Sequence, residues 1–182
     1  MAKGWRSVLN IPKWVVIATL TYMPLSYADL KEDQVKAAYL YQISKFVFWP
    51  DNSSSQSQFN VCQLGPDQFS GNLEKMRGRQ VSGKDVNIRQ ISTLADSANC
   101  HLLILSQPHK ISSQALAKRL KQQPVLTVVN GKNNASKGMV TFVIENQRVR
   151  LHINLALAQQ ANLTFAANLL EVASHIYRGG EG

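Results

Sequence analysis

The sequence has just two cysteines, Cys62 and Cys100, and eleven acidic residues against twenty basic ones. With carboxylates this sparse, and none paired on a stretch that reads as buried, no general acid with a raised pKa stands out. Absent too are the G-x-S-x-G elbow, a G-x-G-x-x-G after a strand, the P-loop and H-E-x-x-H. The four histidines, His101, His109, His152 and His175, lack metal-ligand spacing. No catalytic residue, cofactor or metal is therefore expected. His152 alternates with Leu151 and Ile153 and is expected to meet solvent or a hydrogen-bonding partner. Glu171, alone among apolar neighbours, is expected on a wet face. No apolar run reaches the roughly 20 residues that cross a bilayer comfortably.

Acidic residues are also missing from the amino terminus, where none precedes Asp29. Lys3, Arg6 and Lys13 lead into the apolar stretch Trp14 to Leu25, and Ser26-Tyr27-Ala28 closes it in a small-x-small pattern. This is the layout of an export signal. Residues 1–28 read as a signal peptide that is removed, and 29–182 as a single domain of the exported protein. Its loss takes the formal charge from +9 to +6. The remaining Lys and Arg are scattered and not interleaved with aromatics, so they read as a solvated surface and not as a nucleic-acid site.

Export also bears on the two cysteines. They lie too far apart for a C-x-x-C redox pair, and outside the cytoplasm the compartment is oxidising, so a structural disulfide is the expectation. Phe59 to Leu64 and Cys100 to Leu105 both read as strands. Neighbouring strands lie about 5 Å apart, within a disulfide's reach.

From Lys31 to Phe48 there is no Gly or Pro, and Pro50 is a stop signal. The stretch reads as a core helix with Lys36, Gln42 and Lys45 as its polar stripe and Trp49 fixing its exit. Gly65-Pro66-Asp67 is a turn that could start a helix over 68–76. Val86 to Ile91 and Val125 to Val129 read as strands, with a Ser-capped helix over 112–122 between them. Met139 to Ile144 and Val149 to Ile153 read as strands flanking a hairpin loop. Leu155 to Asn162 and Phe165 to Tyr177 read as two closing helices. Alternating strands and helices predict an α/β domain, its mostly parallel central sheet flanked by helices, with a C-terminal hairpin and helices.

The segment from Val35 to Pro50, VKAAYLYQISKFVFWP, resembles the opening signature of the YfiR-like periplasmic proteins. Val61 to Gly65, Asn99 to Leu105, Pro124 to Val128, Gly138 to Phe142, Arg148 to Asn154 and Asn168 to Ala173 continue the likeness in order. It implies a periplasmic repressor that binds the sensory region of an inner-membrane diguanylate cyclase of the YfiN type. Repression lowers cyclic di-GMP and biofilm formation. The resemblance also implies a homodimer and an outer-membrane lipoprotein that sequesters the repressor. Cys62 and Cys100 match the family's cysteines at the first and central strands; the second disulfide of some members has no counterpart here.

A catalytically bare exported domain works through its surface, and exposed apolar patches mark interaction sites. Aromatics are the usual anchors of such interfaces. The candidates for partner binding are Tyr39, Tyr41 and Phe48 on the first helix, and Leu169, Leu170, Ile176 and Tyr177 on the last. A periplasmic small-ligand receptor feeding a membrane sensor kinase is the competing reading, and a thiol oxidoreductase the third.

Overall fold

In the computed structural model, residues 27–50 and 56–179 are described. The export-signal reading therefore falls outside the described residues, except for the first two residues of helix α1 (Tyr27–Lys45). A short strand, β1 (Val47–Phe48), follows directly. The chain then runs through β2 (Gln58–Leu64), β3 (Gln80–Val81), β4 (Lys84–Ile91), β5 (Leu102–Leu105) and α2 (Ser113–Leu120). It continues with β6 (Leu126–Asn130), β7 (Val140–Glu145), β8 (Arg148–Asn154), α3 (Leu155–Gln160), β9 (Thr164–Phe165), α4 (Ala167–Glu171) and β10 (His175–Tyr177).

Eight of these strands form one sheet in the order β10-β8-β7-β6-β5-β2-β4-β3. Five neighbouring pairs are parallel, and β7/β8 and β3/β4 are antiparallel. The sheet is thus mostly parallel, as the alternating pattern predicts. Successive residues of its central strands join different apolar clusters. Val61, Leu102, Ile104, Leu126 and Val128 belong to one, with Leu40 and Ile43 of α1. Cys62, Leu103, Leu105 and Val129 belong to the other, with Leu116 and Leu120 of α2. Because side chains alternate across a strand, both sheet faces are apolar and both are covered. That explains why β5 reads as an uninterrupted Leu-Leu-Ile-Leu.

Helix α1 shows how the burial is shared out. Ala37, Leu40, Ile43 and Ser44 are buried, while Ala38, Tyr39, Gln42 and Lys45 face outward. Burying a side chain like Leu40 stabilises the fold by roughly 1.5–3 kcal/mol. Lys36, expected on the polar stripe, is buried instead; its ammonium pairs with Glu32 Oε1 one turn earlier, at 2.5 Å. The helix also stops short of the expected Phe48. Val47 and Phe48 pair antiparallel with Phe165 and Thr164, a tertiary contact outside any local window. Trp49 does fix the exit, packing edge-on against Phe59 at 5.1 Å between ring centroids.

Two other expected helices are corrected. Over 68–76 only Asn72–Met76 is helical, as a 3-10 turn. The Asp67 carboxylate accepts the N–H groups of Phe69 and Gly71, and Ser70 and Gly71 both have positive φ, so an α-helix cannot propagate from the turn. Over 165–177, α4 has only five residues and ends at Glu171. Ser174 then donates its N–H to Leu151 O at 2.8 Å. His175, Ile176 and Tyr177 pair in parallel with His152, Ile153 and Asn154, extending the sheet by one edge strand. The His-Ile-Tyr run favours a pleated surface, and a strand waiting for a neighbour outweighs helical periodicity.

The caps are local and legible. Ser112 Oγ accepts from Ala115 N at 3.0 Å, and Asn154 Oδ1 from Leu157 N at 3.0 Å. Between β7 and β8, Glu145 stands opposite Arg148. Asn146 and Gln147 reverse the chain, both at positive φ (51° and 59°), which matches the twist of the flanking strands.

Candidate functional site: an apolar groove beside the first helix

The outward side of α1, the start of β8 and the end of α4 enclose a groove of about 510 Å³. Ile43 and Leu169 form its buried floor, at 1% and 4% exposure. Tyr39 and Val172 stand on its walls at 39% and 63% exposure, large apolar groups left in water. Phe46, Val149 and Leu151 complete the apolar lining. Ile144, 49% exposed, lies directly opposite Val149 across β7/β8, so its side chain extends the same face. Arg150, exposed, is the charged residue of the lining, which contains no carboxylate. The groove therefore offers an apolar floor with a basic edge.

Each wall has a local cause. Tyr39 lies one turn before Ile43 on the same side of α1 but some 100° round from Leu40, so it stands where the buried face of the helix gives way to water. Val172 sits where α4 ends and the chain turns toward β10, with no element packed over it. Val149 follows the reversal at Asn146-Gln147, where β8 begins.

The expected partner-binding residues are scattered by the fold. Tyr39 and Leu169 meet in the groove, Tyr39 as wall and Leu169 as buried floor. Tyr41 looks the other way, its hydroxyl 3.3 Å from Gln80 O and its ring 5.0 Å from the Arg79 guanidinium. Phe48 is 61% exposed but lies on β1, outside the groove lining. Leu170 is half-buried and packs on the core. Ile176 and Tyr177 belong to the edge strand, not to a helix. Val149, Arg150, Ile144 and Val172 were not singled out. The signal was present in β8 and β7, where Val149 continues the alternation of buried Leu151 and Ile153, and Ile144 that of buried Val140 and Phe142.

Of the two surroundings expected for His152, solvent or a hydrogen-bonding partner, the structure gives the second. It is 3% exposed, on the sheet face away from Leu151 and Ile153, with Nε2 3.1 Å from Glu145 Oε1. This hydrogen bond holds the Glu145 carboxyl below the usual range; burial opposes it, and the Ser174 hydroxyl and the imidazole's charge reinforce it. His175 and Tyr177 close around the ring at centroid distances of 5.3 and 6.1 Å. Glu171 is exposed.

Cys62 and Cys100 are joined in a disulfide, with Cα atoms 5.8 Å apart. Cys62 lies within β2 and Cys100 two residues before β5, its parallel neighbour. At 0% and 5% exposure, the two residues leave little sulfur surface for a thiolate to attack, the arrangement of a structural bridge. Among the described residues no three His, Cys, Asp or Glu side chains gather to hold a metal. Nor is any described helix long and apolar enough to cross a membrane. With its apolar floor and walls, the groove is suited to binding an apolar surface.

Compared with known proteins, residues 33–174 match a family described as YfiR/HmsC-like. Of the curated proteins, none matches the chain.

Proposed function

From the premise that the chain belongs to the YfiR/HmsC-like family, we propose that it is an exported regulator that restrains an inner-membrane diguanylate cyclase. In this reading residues 1–28 direct export, and 29–182 act as one domain in the periplasm. The domain binds the cyclase's periplasmic sensory region and holds its cytoplasmic output off, which lowers cyclic di-GMP and biofilm formation. It works as a homodimer and is drawn away from the cyclase by an outer-membrane lipoprotein. The regulatory, non-catalytic character of the family supports this, and so does a disulfide suited to an oxidising compartment.

The observation that carries the proposal is the groove. Tyr39, Val172, Val149 and Ile144 leave a contiguous apolar face over a buried floor, a surface that a soluble domain keeps when something covers it. Repression asks only that the face bind the cyclase's inhibited form better than its active form. A shift from mostly active to mostly inhibited takes about 5.5 kcal/mol of differential affinity. A few anchors of about 2 kcal/mol each supply that.

The test pairs Val172→Asp with Tyr39→Ala, both at exposed positions where folding is retained. Cells producing either variant should show the raised cyclic di-GMP of the deletion strain, with export and melting temperature unchanged. Wild-type cyclic di-GMP with both variants in place would overturn the proposal.

A further inference from the structure

A second cavity lies between α2, α3 and the loop that enters β7. Its volume is about 500 Å³, within the roughly 300–1,000 Å³ of small-molecule sites. Leu116, Leu120, Met139, Leu157 and Ala161 make its walls apolar, while Lys118, Lys121 and Lys137 stand around it. Among the described residues no carboxylate lines it. Lys137 is held in place by two backbone carbonyls, Pro108 O at 2.6 Å and Ile111 O at 2.7 Å, both neutral acceptors. Two of its three ammonium protons are thus fixed by groups that carry no formal charge. The cavity combines a mostly apolar surface between two helices with three lysines at its edge.

We propose that this cavity binds a single-chain aliphatic carboxylate, a fatty acid, with its chain between α2 and α3 and its head among Lys118, Lys121 and Lys137. The charge complementarity selects an anion, and the mostly apolar surface that Leu116, Leu120, Met139 and Leu157 present favours an alkyl chain, although Thr127, Ser136 and Gln160 also reach the lining. A small hydrophilic anion could meet the lysines but would leave the apolar surface uncovered, so it gains little from burial. Lys118 and Lys121 sit on exposed positions of α2 and can swing over the head group, while Lys137 is anchored. The inference is independent of the groove beside α1 and of any protein partner.

The test is calorimetric titration of the purified mature protein with dodecanoate below its aggregation threshold, alongside dodecanol, butyrate and dodecyltrimethylammonium. Dodecanoate should bind, and affinity should rise about fourfold per added methylene between octanoate and dodecanoate, the weight of one buried methylene group. Dodecanol should bind roughly tenfold more weakly, the weight of a charge-assisted hydrogen bond. Butyrate and the cationic amphiphile should not bind measurably. Ala117→Trp, an exposed position on the cavity wall, should block dodecanoate while leaving the melting temperature unchanged. The double change Lys118→Glu with Lys121→Glu should erase the preference for dodecanoate over dodecanol. Failure of dodecanoate to bind, equal binding of dodecanol, or undiminished binding to the folded Ala117→Trp variant would each overturn the proposal.

Discussion

Removing the bridge between Cys62 and Cys100 tests how far one cross-link supports this domain. The bond closes a loop of 38 residues of sequence separation. Treated as lost chain entropy in the unfolded state, such a loop contributes roughly 4 kcal/mol at 25 °C. For a domain of this size that corresponds to a fall in melting temperature of about 8–16 °C. The sites themselves add to the loss. Both cysteines pack in the cluster beneath α2, and Cys62→Ala with Cys100→Ala leaves space there that Leu103 and Leu116 can fill only in part. Reduced wild-type protein lacks the cross-link but keeps both sulfurs, so it separates the two contributions. Urea unfolding followed by circular dichroism should place the reduced wild type about 2 M below the oxidised form. The double-alanine variant should lie lower still. An oxidised-to-reduced difference under about 1 kcal/mol would refute the argument, because it would mean that the unfolded chain gains little freedom when the bridge opens.

Two further outcomes follow from the packing and from the ionisation of Glu145. Gly138→Ala should destabilise by about 1–3 kcal/mol, because a Cβ there would lie 2.5 Å from Val129 Cγ2 and 2.9 Å from the Val140 carbonyl oxygen; chemical denaturation measures it. The Glu145 carboxyl is held below its ordinary pKa by His152, so its contribution is present above the unfolded value and lost as pH falls through the native one. The stability gap between wild type and Glu145→Gln should therefore be constant just above the unfolded glutamate value of about 4.3 and shrink as pH falls below it in urea titrations; a gap that widens below that value would contradict the assignment.

Much of the fold was legible along the chain because its causes are local. The Leu-Leu-Ile-Leu run of β5, the Ser112 cap of α2 and the alternation in β4 each announce their element within a few residues. So does the pairing of Cys62 on β2 with Cys100 just before β5, once export supplies an oxidising setting. The site was less legible. Tyr39 was found by its chemistry, but Tyr41, two residues on, has the same composition and the opposite surroundings. Which tyrosine faces open water depends on where the sheet lies relative to α1, and no property of either residue encodes that.

The sequence by itself determined the mostly parallel α/β sheet, the buried core strands and the family likeness, since each rests on residue type, order and short-range periodicity. Tertiary structure alone decided that 175–177 become an edge strand, that Val47 and Phe48 leave the first helix to pair with 164–165, and that Tyr39, Val149 and Val172 share one groove. The physical reason is common to all three. Strand pairing and surface exposure are set by neighbours distant in sequence, and their free energy outweighs the few tenths of a kcal/mol per residue that local propensity supplies.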